Sequence, residues 1–288
     1  MKVYINGAYY NKDNAKISVF DHGLLYGDGV FEGIRIYNRR IFRLEQHMNR
    51  LWESARTIAL PIGLSRKKLT QATIETARVN KIVDGYIRLI VTRGTGTLGL
   101  NPFLCRNSQI IIIVDKIRLY DKELYQKGLS VITASTPRNL NEALSPRMKS
   151  LNYLNNILAK IEAINTGCIE AIMLNQQGYV AEATGDNIFV VKGGTLTTPS
   201  KEMGILEGIT RNVVIELARN QGYCVIEGVL TRHDLYNADE CFLTGTAAEV
   251  IPVIKIDKRK VGKGVPGKIT RKLMCAFKEI TRREDTEI

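Results

Sequence analysis

The chain has 288 residues, long enough for two domains and a sizeable core. Its 44% hydrophobic and 24% charged content is that of a soluble globular protein, and no apolar run approaches the roughly 18 residues that span a bilayer. The net charge of +12 invites a non-catalytic anion- or nucleic-acid-binding reading, but the basic residues are mixed with acids, as in Arg43-Leu-Glu-Gln-His-Met-Asn-Arg50, and their densest runs, Arg66–Lys68 and Lys255–Lys260, are short. They read as a solvated basic surface whose field attracts anionic small molecules, with no nucleic acid and no membrane as partner.

In chain order, Val3–Ile5 and Lys16–Val19 read as strands, and Met1–Gly7 as a strand and turn instead of a secretion signal, which points to the cytoplasm. Phe31-Glu-Gly-Ile-Arg-Ile-Tyr37 alternates apolar and polar residues. Leu44, Met48, Leu51, Trp52, Ala55 and Ile58 then recur at helical spacing, and a second helix runs from the N-cap Ser65 to about Asn80. Strands follow at Tyr86–Thr92 and Gln109–Val114. The charge-rich stretch 116–127 breaks the pattern and is taken as an ordered connection between a small N-terminal domain, 1–115, and a larger C-terminal one, 128–288, that carries the key lysine. The second part opens with the strand Leu129–Ser135. A helix over about Leu151–Asn165 gathers Leu154, Ile157, Leu158, Ile161 and Ile164 on one face. Strands at Glu170–Leu174, Tyr179–Glu182 and Asn187–Val191, a helix from Gly208 to Gly222, strands at Cys224–Val229, Glu240–Thr244 and Val250–Ile256, and a basic helix from Lys268 to Arg282 complete it. Helices do not alternate strictly with strands, so the class is α+β.

Five scattered cysteines without a Cys-x-x-Cys argue against disulfides and zinc ribbons, and three histidines without an i, i+4 pair argue against a metal site. Gly94-Thr-Gly-Thr-Leu-Gly99 matches the dinucleotide fingerprint and follows a strand. No helix can follow it, because Leu100–Ser108 is short and broken by Pro102. It reads as a loop between paired strands.

The most informative residue is Lys149, in Ser145-Pro-Arg-Met-Lys-Ser-Leu-Asn-Tyr-Leu-Asn-Asn156, where a turn leads into the expected helix. Burial disfavours the ammonium form, and a neutral lysine amine can form a Schiff base with a carbonyl cofactor. A pyridoxal cofactor also needs a carboxylate opposite its ring nitrogen and an anion cup for its phosphate. Glu182, at the end of an apolar strand, is a candidate for the first. Gly208-Ile-Thr210 at a helix start and the small-residue loop Thr244-Gly-Thr-Ala-Ala248 are candidates for the second. Each has a plain alternative as a turn acid, an ordinary cap or a loop residue.

Taken together, Asp21–Arg35, Glu45–Leu51, Tyr86-Ile-Arg88, Lys149–Asn155, Glu182–Asn187, Gly208-Ile-Thr-Arg211 and Gly245–Glu249 resemble, in order and over nearly the whole chain, the fold-type IV pyridoxal-phosphate enzymes, and among them the branched-chain amino-acid aminotransferases. The resemblance implies a two-domain fold-type IV architecture, pyridoxal 5'-phosphate as cofactor, and amino acids and 2-oxo acids as small-molecule partners. It implies a homodimer or higher homo-oligomer. It makes Lys149 the catalytic residue that holds the cofactor aldehyde and moves the proton at the substrate. It pairs Glu182 with the ring nitrogen and Tyr153 with the phenolic oxygen, gives the phosphate to Arg50, Ile209, Thr210 and Thr246, and adds Gly185, Asn187 and Gly245 to the cofactor's surroundings. For the substrate it implies Tyr86, Arg35 and the Thr246-Ala247 backbone at the carboxylate, with Tyr26, Phe31 and Gly33 around the side chain and Arg88 nearby. Ala183 departs from the family's usual glycine. Tyr153 and Phe31-Glu-Gly-Ile-Arg35 favour L-leucine, L-isoleucine and L-valine, with 2-oxoglutarate and glutamate as the other pair, over a D-amino-acid aminotransferase or an aminodeoxychorismate lyase of the same fold.

Overall fold

A computed structural model describes residues 1–117, 120–283 and 286–288, and the chain divides into two compact units. The first comprises Met1–Ile117, Met148–Asn152 and Thr281–Ile288; the second comprises Arg118–Arg147 and Tyr153–Ile280. Residues 118 and 119, inside the expected 116–127 connection, lie outside the described residues. The short segment bearing Lys149, expected with the C-terminal region, clusters with the N-terminal strands.

The first unit contains β1 (Lys2–Ile5), β2 (Ala8–Asn11), α1 (His22–Tyr26), β3 (Gly29–Tyr37), β4 (Arg40–Ile41), α2 (Leu44–Thr57), α3 (Arg66–Val79), β5 (Gly85–Thr92) and β6 (Gln109–Asp115). Its antiparallel sheet runs, from the terminal strand Thr286–Glu287, through β4, β3, β5, β6 and β1 to β2. Alternation along β3 and β5 sends Val30, Ile34, Ile36, Ile87, Leu89 and Val91 into a core shared with Leu44, Met48 and Leu51 of α2 and Leu69 of α3. Ser65 caps α3 by accepting from Lys68 N at 3.4 Å, as its sequence position predicts. Lys16–Val19, expected as a strand, has no strand structure; the early hairpin is β1–β2, closed by a turn with Asn6 and Gly7 at positive φ. The 94–99 segment is the loop anticipated, with no helix after it apart from a single 3₁₀ turn at Pro102–Leu104.

The second unit contains α4 (Lys122–Lys127), β7 (Leu129–Thr133), α5 (Leu154–Asn165), β8 (Glu170–Leu174), β9 (Val180–Ala183), β10 (Asn187–Lys192), β11 (Thr195–Pro199), α6 (Ile209–Asn220), β12 (Val225–Gly228), α7 (Arg232–Tyr236), β13 (Glu240–Gly245), β14 (Glu249–Ile256), β15 (Arg259–Lys260) and all but the last turn of α8 (Lys268–Arg283). Its sheet orders β12-β11-β10-β13-β14-β7-β8-β9, with β15 on β14. Parallel pairs (β11 with β12, β14 with β7, β7 with β8) are mixed with antiparallel ones, which establishes the α+β class. Helix α5 starts three residues later than its periodicity suggests. It packs inward through Asn156, Ala159 and Ala163. The leucine and isoleucine face read from the sequence points outward, with Leu154 66% and Ile164 61% exposed.

Candidate active site

In the first unit the candidates gather on one face of the β3–β5 pair. Phe31, Gly33 and Arg35 alternate along β3, and the register sets Gly33 opposite Arg88 and Arg35 opposite Tyr86, so these five share a side. A Cβ on Gly33 would lie 1.7 Å from the Tyr86 hydroxyl oxygen; glycine is what lets the tyrosine lie across the strand. The Arg88 guanidinium stands 4.5 Å from the Phe31 ring centre and 5.5 Å from that of Tyr86, and the Lys149 ammonium also stands 4.5 Å from the Phe31 ring. Tyr26 belongs to α1, packs edge-on against His22 and donates to Leu98 O.

Lys149 does not begin a helix as its sequence context suggests. Residues 148–152 run alongside the start of β3: Phe31 N donates to Lys149 O at 3.0 Å, Leu151 N to Gly29 O at 3.0 Å, and Ser150 bridges Val30. Lys149 N donates to Ser54 Oγ of α2 at 3.1 Å. Gly29 is needed here, because a Cβ would come within 2.6 Å of Leu151 Cδ1. The lysine backbone is therefore clamped on two sides while its half-buried side chain extends over an aromatic ring.

On the core face of β3 sits an acid that the sequence reading passed over. Glu32 is fully buried and accepts from Arg50 Nε at 2.7 Å, Arg50 Nη2 at 2.8 Å and His47 Nδ1 at 2.7 Å. Burial alone would raise its carboxyl; the Arg50 guanidinium and His47 overcome this and hold it well below the usual carboxylate range. Burial pushes His47 down, against the pull of Glu32, so the ring is a neutral donor. Arg50, picked from sequence as a phosphate ligand, is thus held as a bidentate fork. The signal for Glu32 was present but unread: a carboxylate at a core-facing position of an apolar strand must be paired.

In the second unit, Glu182 lies buried on β9. Its Oε1 accepts from Arg138 Nε at 2.9 Å; its Oε2 accepts from Asn187 Nδ2 at 3.1 Å and from Leu206 N at 2.9 Å. The sequence reading took a cofactor as the partner that offsets the cost of burying this acid. The structure gives it an arginine and two neutral donors from within the chain. Arg138 also donates from Nη1 to Asn155 Oδ1 at 3.1 Å, which ties the first turn of α5, just after its N-cap Tyr153, to the Glu182 cluster. Nothing in the sequence around Ser135-Thr-Pro-Arg138 marks it for this role.

The two anion-cup candidates are set by one turn. Asn187 Oδ1 lies 2.0 Å from where a Gly208 Cβ would be, and Asp186 Oδ1 lies 1.9 Å from where a Gly245 Cβ would be. Gly208 is the N-cap of α6 and offers no side chain to cap the helix, so Ile209 and Thr210 begin an uncapped positive end. Thr246, Ala247 and Ala248 are the turn of the β13–β14 hairpin, closed by Glu249 in the left-handed region. Beside this turn Thr244 Oγ1 is buried without a hydrogen-bond partner among the described residues. An uncapped helix start, an orphaned hydroxyl and a small-residue turn fit a phosphate group. Gly185 is exposed, and a Cβ there would meet nothing within 4 Å, so no close approach demands a glycine. Ala183 is buried in the core, where its methyl packs. Among the described residues no cluster of His, Cys, Asp and Glu could hold a metal ion, and no helix is long and apolar enough to cross a membrane.

Comparison with known proteins adds to this geometry. The family profile "Amino-transferase class IV" matches residues 29–256. A protein of Methanocaldococcus jannaschii named as a putative branched-chain-amino-acid aminotransferase is 50% identical over 280 residues, covering 97% of this chain and 96% of its own. The branched-chain amino acid aminotransferase of Escherichia coli, in crystal form, superposes with a TM-score of 0.95 at 36% identity, covering 97% of this chain and 94% of that one. The branched-chain aminotransferase of the archaeon Thermoproteus uzoniensis, solved with norvaline, superposes with a TM-score of 0.91 at 38% identity, covering 98% and 94%. A further branched-chain amino acid aminotransferase, crystallised with pyridoxamine 5'-phosphate, superposes with a TM-score of 0.94 at 38% identity, covering 97% and 93%.

Proposed function

The chain belongs to the class IV aminotransferases, and from that premise we propose that it is a branched-chain-amino-acid transaminase, exchanging the amino group of L-leucine, L-isoleucine or L-valine with 2-oxoglutarate to give the branched 2-oxo acids and L-glutamate. The observation that carries the reading is Lys149: its backbone is clamped against β3 and α2, and its amine is placed over the Phe31 ring.

Pyridoxal 5'-phosphate, when bound, supplies a carbonyl that accepts the amino group and a ring that draws electrons from the substrate Cα. Lys149 would hold the aldehyde and, once the substrate amine has displaced it, its Nζ would carry the proton between the substrate Cα and the cofactor. Glu182, held in place by Arg138, Asn187 and the Leu206 amide, would pair with the protonated ring nitrogen. Tyr153 donates to the phenolic oxygen. Arg50, aimed by Glu32 and His47, takes the phosphate with Ile209, Thr210 and Thr246. Arg35, Tyr86 and the Thr246-Ala247 backbone take the substrate carboxylate, and Phe31 and Gly33, with Tyr26, offer the apolar surface that a branched side chain needs. Arg88, resting on Phe31, adds the cation that the γ-carboxylate of glutamate requires.

The active form is a homodimer or larger homo-oligomer. The exposed stripe on α5 and, in the first unit, the loop with Leu100 78% and Phe103 80% exposed offer apolar surface that a partner subunit would cover. The cytoplasm, where free amino acids and 2-oxo acids meet, is its compartment. The test is a panel of separate L- and D-amino acids with 2-oxoglutarate. Turnover of L-leucine, L-isoleucine and L-valine is expected; turnover of D-alanine without L-leucine would overturn the substrate assignment.

A further inference from the structure

The turn that carries Glu182 and Asn187 also carries Asp186, an acid that no role above uses, and it is 6% exposed. Its Oδ1 lies against Gly245, and its Oδ2 is 3.3 Å from the Tyr120 hydroxyl. The same hydroxyl is 3.3 Å from Glu170 Oε2. A tyrosine has one O–H to offer two carboxylates, and a proton on one of the acids lets both contacts be full hydrogen bonds. Glu170 is rich in donors: it accepts from Ala171 N at 2.8 Å, Thr184 N at 3.0 Å, the Thr184 hydroxyl and Lys160 Nζ at 3.0 Å. Asp186 has the Tyr120 oxygen as its side-chain hydrogen-bond partner among the described residues. With Glu170 holding the other donors, a proton shared by this buried pair of acids is best placed on Asp186, which can then donate to Tyr120 while Tyr120 donates to Glu170. The charged and titratable groups facing Asp186 are Glu170 from β8, Lys160 from α5, Tyr120 ahead of α4 and Glu182 from β9; Gly245 of β13 adds backbone alone. Burial and the Glu170 charge, opposed by Lys160, push the Asp186 carboxyl up to about 7.

We propose that the proton on Asp186 sets the anion affinity of the Gly245-Thr246-Ala247 turn: the neutral acid packs against Gly245 and seats the turn, and its ionised form places a negative charge there and weakens anion binding. The inference rests on the reading of Thr246 as a phosphate ligand. Asp186 is a positioning residue, and it acts through the turn.

The experiment measures pyridoxal 5'-phosphate affinity of the cofactor-free full chain by absorbance titration from pH 6 to 9. Wild type, Asp186→Asn and Glu170→Gln are compared as ratios, which removes the cofactor's own titration. Wild type is expected to lose affinity roughly tenfold relative to Asp186→Asn as pH rises through the neutral range, the order expected of one added like charge near a protein surface. Glu170→Gln, with one fewer negative charge beside Asp186, should move that loss to lower pH. Parallel profiles for wild type and Asp186→Asn, or an unmoved midpoint in Glu170→Gln, would overturn the proposal. If Asp186→Asn does not fold, the Glu170→Gln midpoint decides alone. Infrared difference spectra of the cofactor-free protein supply the independent arm. A protonated-carboxyl band present at pH 6 and missing from Asp186→Asn supports the proton assignment, and its absence from wild type sinks it. A protein that shows the band and never binds the cofactor would refute the phosphate reading instead.

Discussion

Glu182 accepts hydrogen bonds from a buried arginine, an asparagine and a backbone amide, whereas the ammonium of Lys149 rests over an aromatic ring while its main chain is clamped. The second unit fixes its acid from several directions; in the first unit the Lys149 backbone is clamped and its ammonium lies 4.5 Å from the Phe31 ring centre. The difference follows from what each group has to do. A counter-ion to a ring nitrogen works by staying charged and still, while an amine that takes and returns a proton has to change partners.

Removing the lysine side chain should have the largest effect. Lys149→Ala is expected to lower turnover roughly 10⁴-fold, the upper range for a proton-transferring residue, with the fold intact by circular dichroism. A much smaller loss would erase the contrast, because the amine would then have no chemical role. Glu32→Gln comes next. It leaves Arg50 buried without its charge partner and should cost about 3 kcal/mol of stability, read by urea denaturation, together with weakened cofactor binding. Glu182→Gln should slow turnover about 100-fold, at the lower end of the range for general acid–base groups, while the cofactor stays bound. Unchanged turnover would show that the rigid acid is structural. Gly33→Ala drives a methyl into the Tyr86 hydroxyl; KM for the amino acid should rise about tenfold with kcat changed less, in steady-state kinetics.

The remaining expected effect is a slope. The Asp186 carboxyl is raised in the folded state to about 7, above its unfolded value near 4, so the folded form binds the extra proton between them. Its contribution to stability is present below about pH 4 and is lost as pH rises through about 7. Wild type should therefore lose stability relative to Asp186→Asn over that window, by at most about 1.4 kcal/mol per pH unit, as measured by chemical denaturation at fixed ionic strength.

The sequence made the periodic elements legible: α2, α3 and α6 and strands β3, β5, β6 and β8 follow from side-chain alternation and a capping serine, because those signals are local. The setting of Lys149 was hidden for the opposite reason. Residues 148–152 take their extended form from pairing with Gly29–Phe31, nearly 120 residues away in sequence, and no local pattern records that. The apolar face of α5 was read correctly as one face, but periodicity alone does not say whether a face meets a core or remains exposed on a single chain. Arg50 was found through its motif, while Glu32, which aims it, was passed over; Arg138 and the Leu206 amide, which hold Glu182, leave no pattern in one sequence. What the motifs carry is the list of reactive groups. What they omit is the set of partners that hold those groups in place.

The account stands on Lys149 as the residue that holds the cofactor. Borohydride reduction of the chain loaded with pyridoxal 5'-phosphate, followed by peptide mass spectrometry, tests this directly. The predicted result is a reduced pyridoxyl adduct on the peptide containing Lys149 and no trapping in Lys149→Ala. An adduct on a different lysine in the wild type would contradict it.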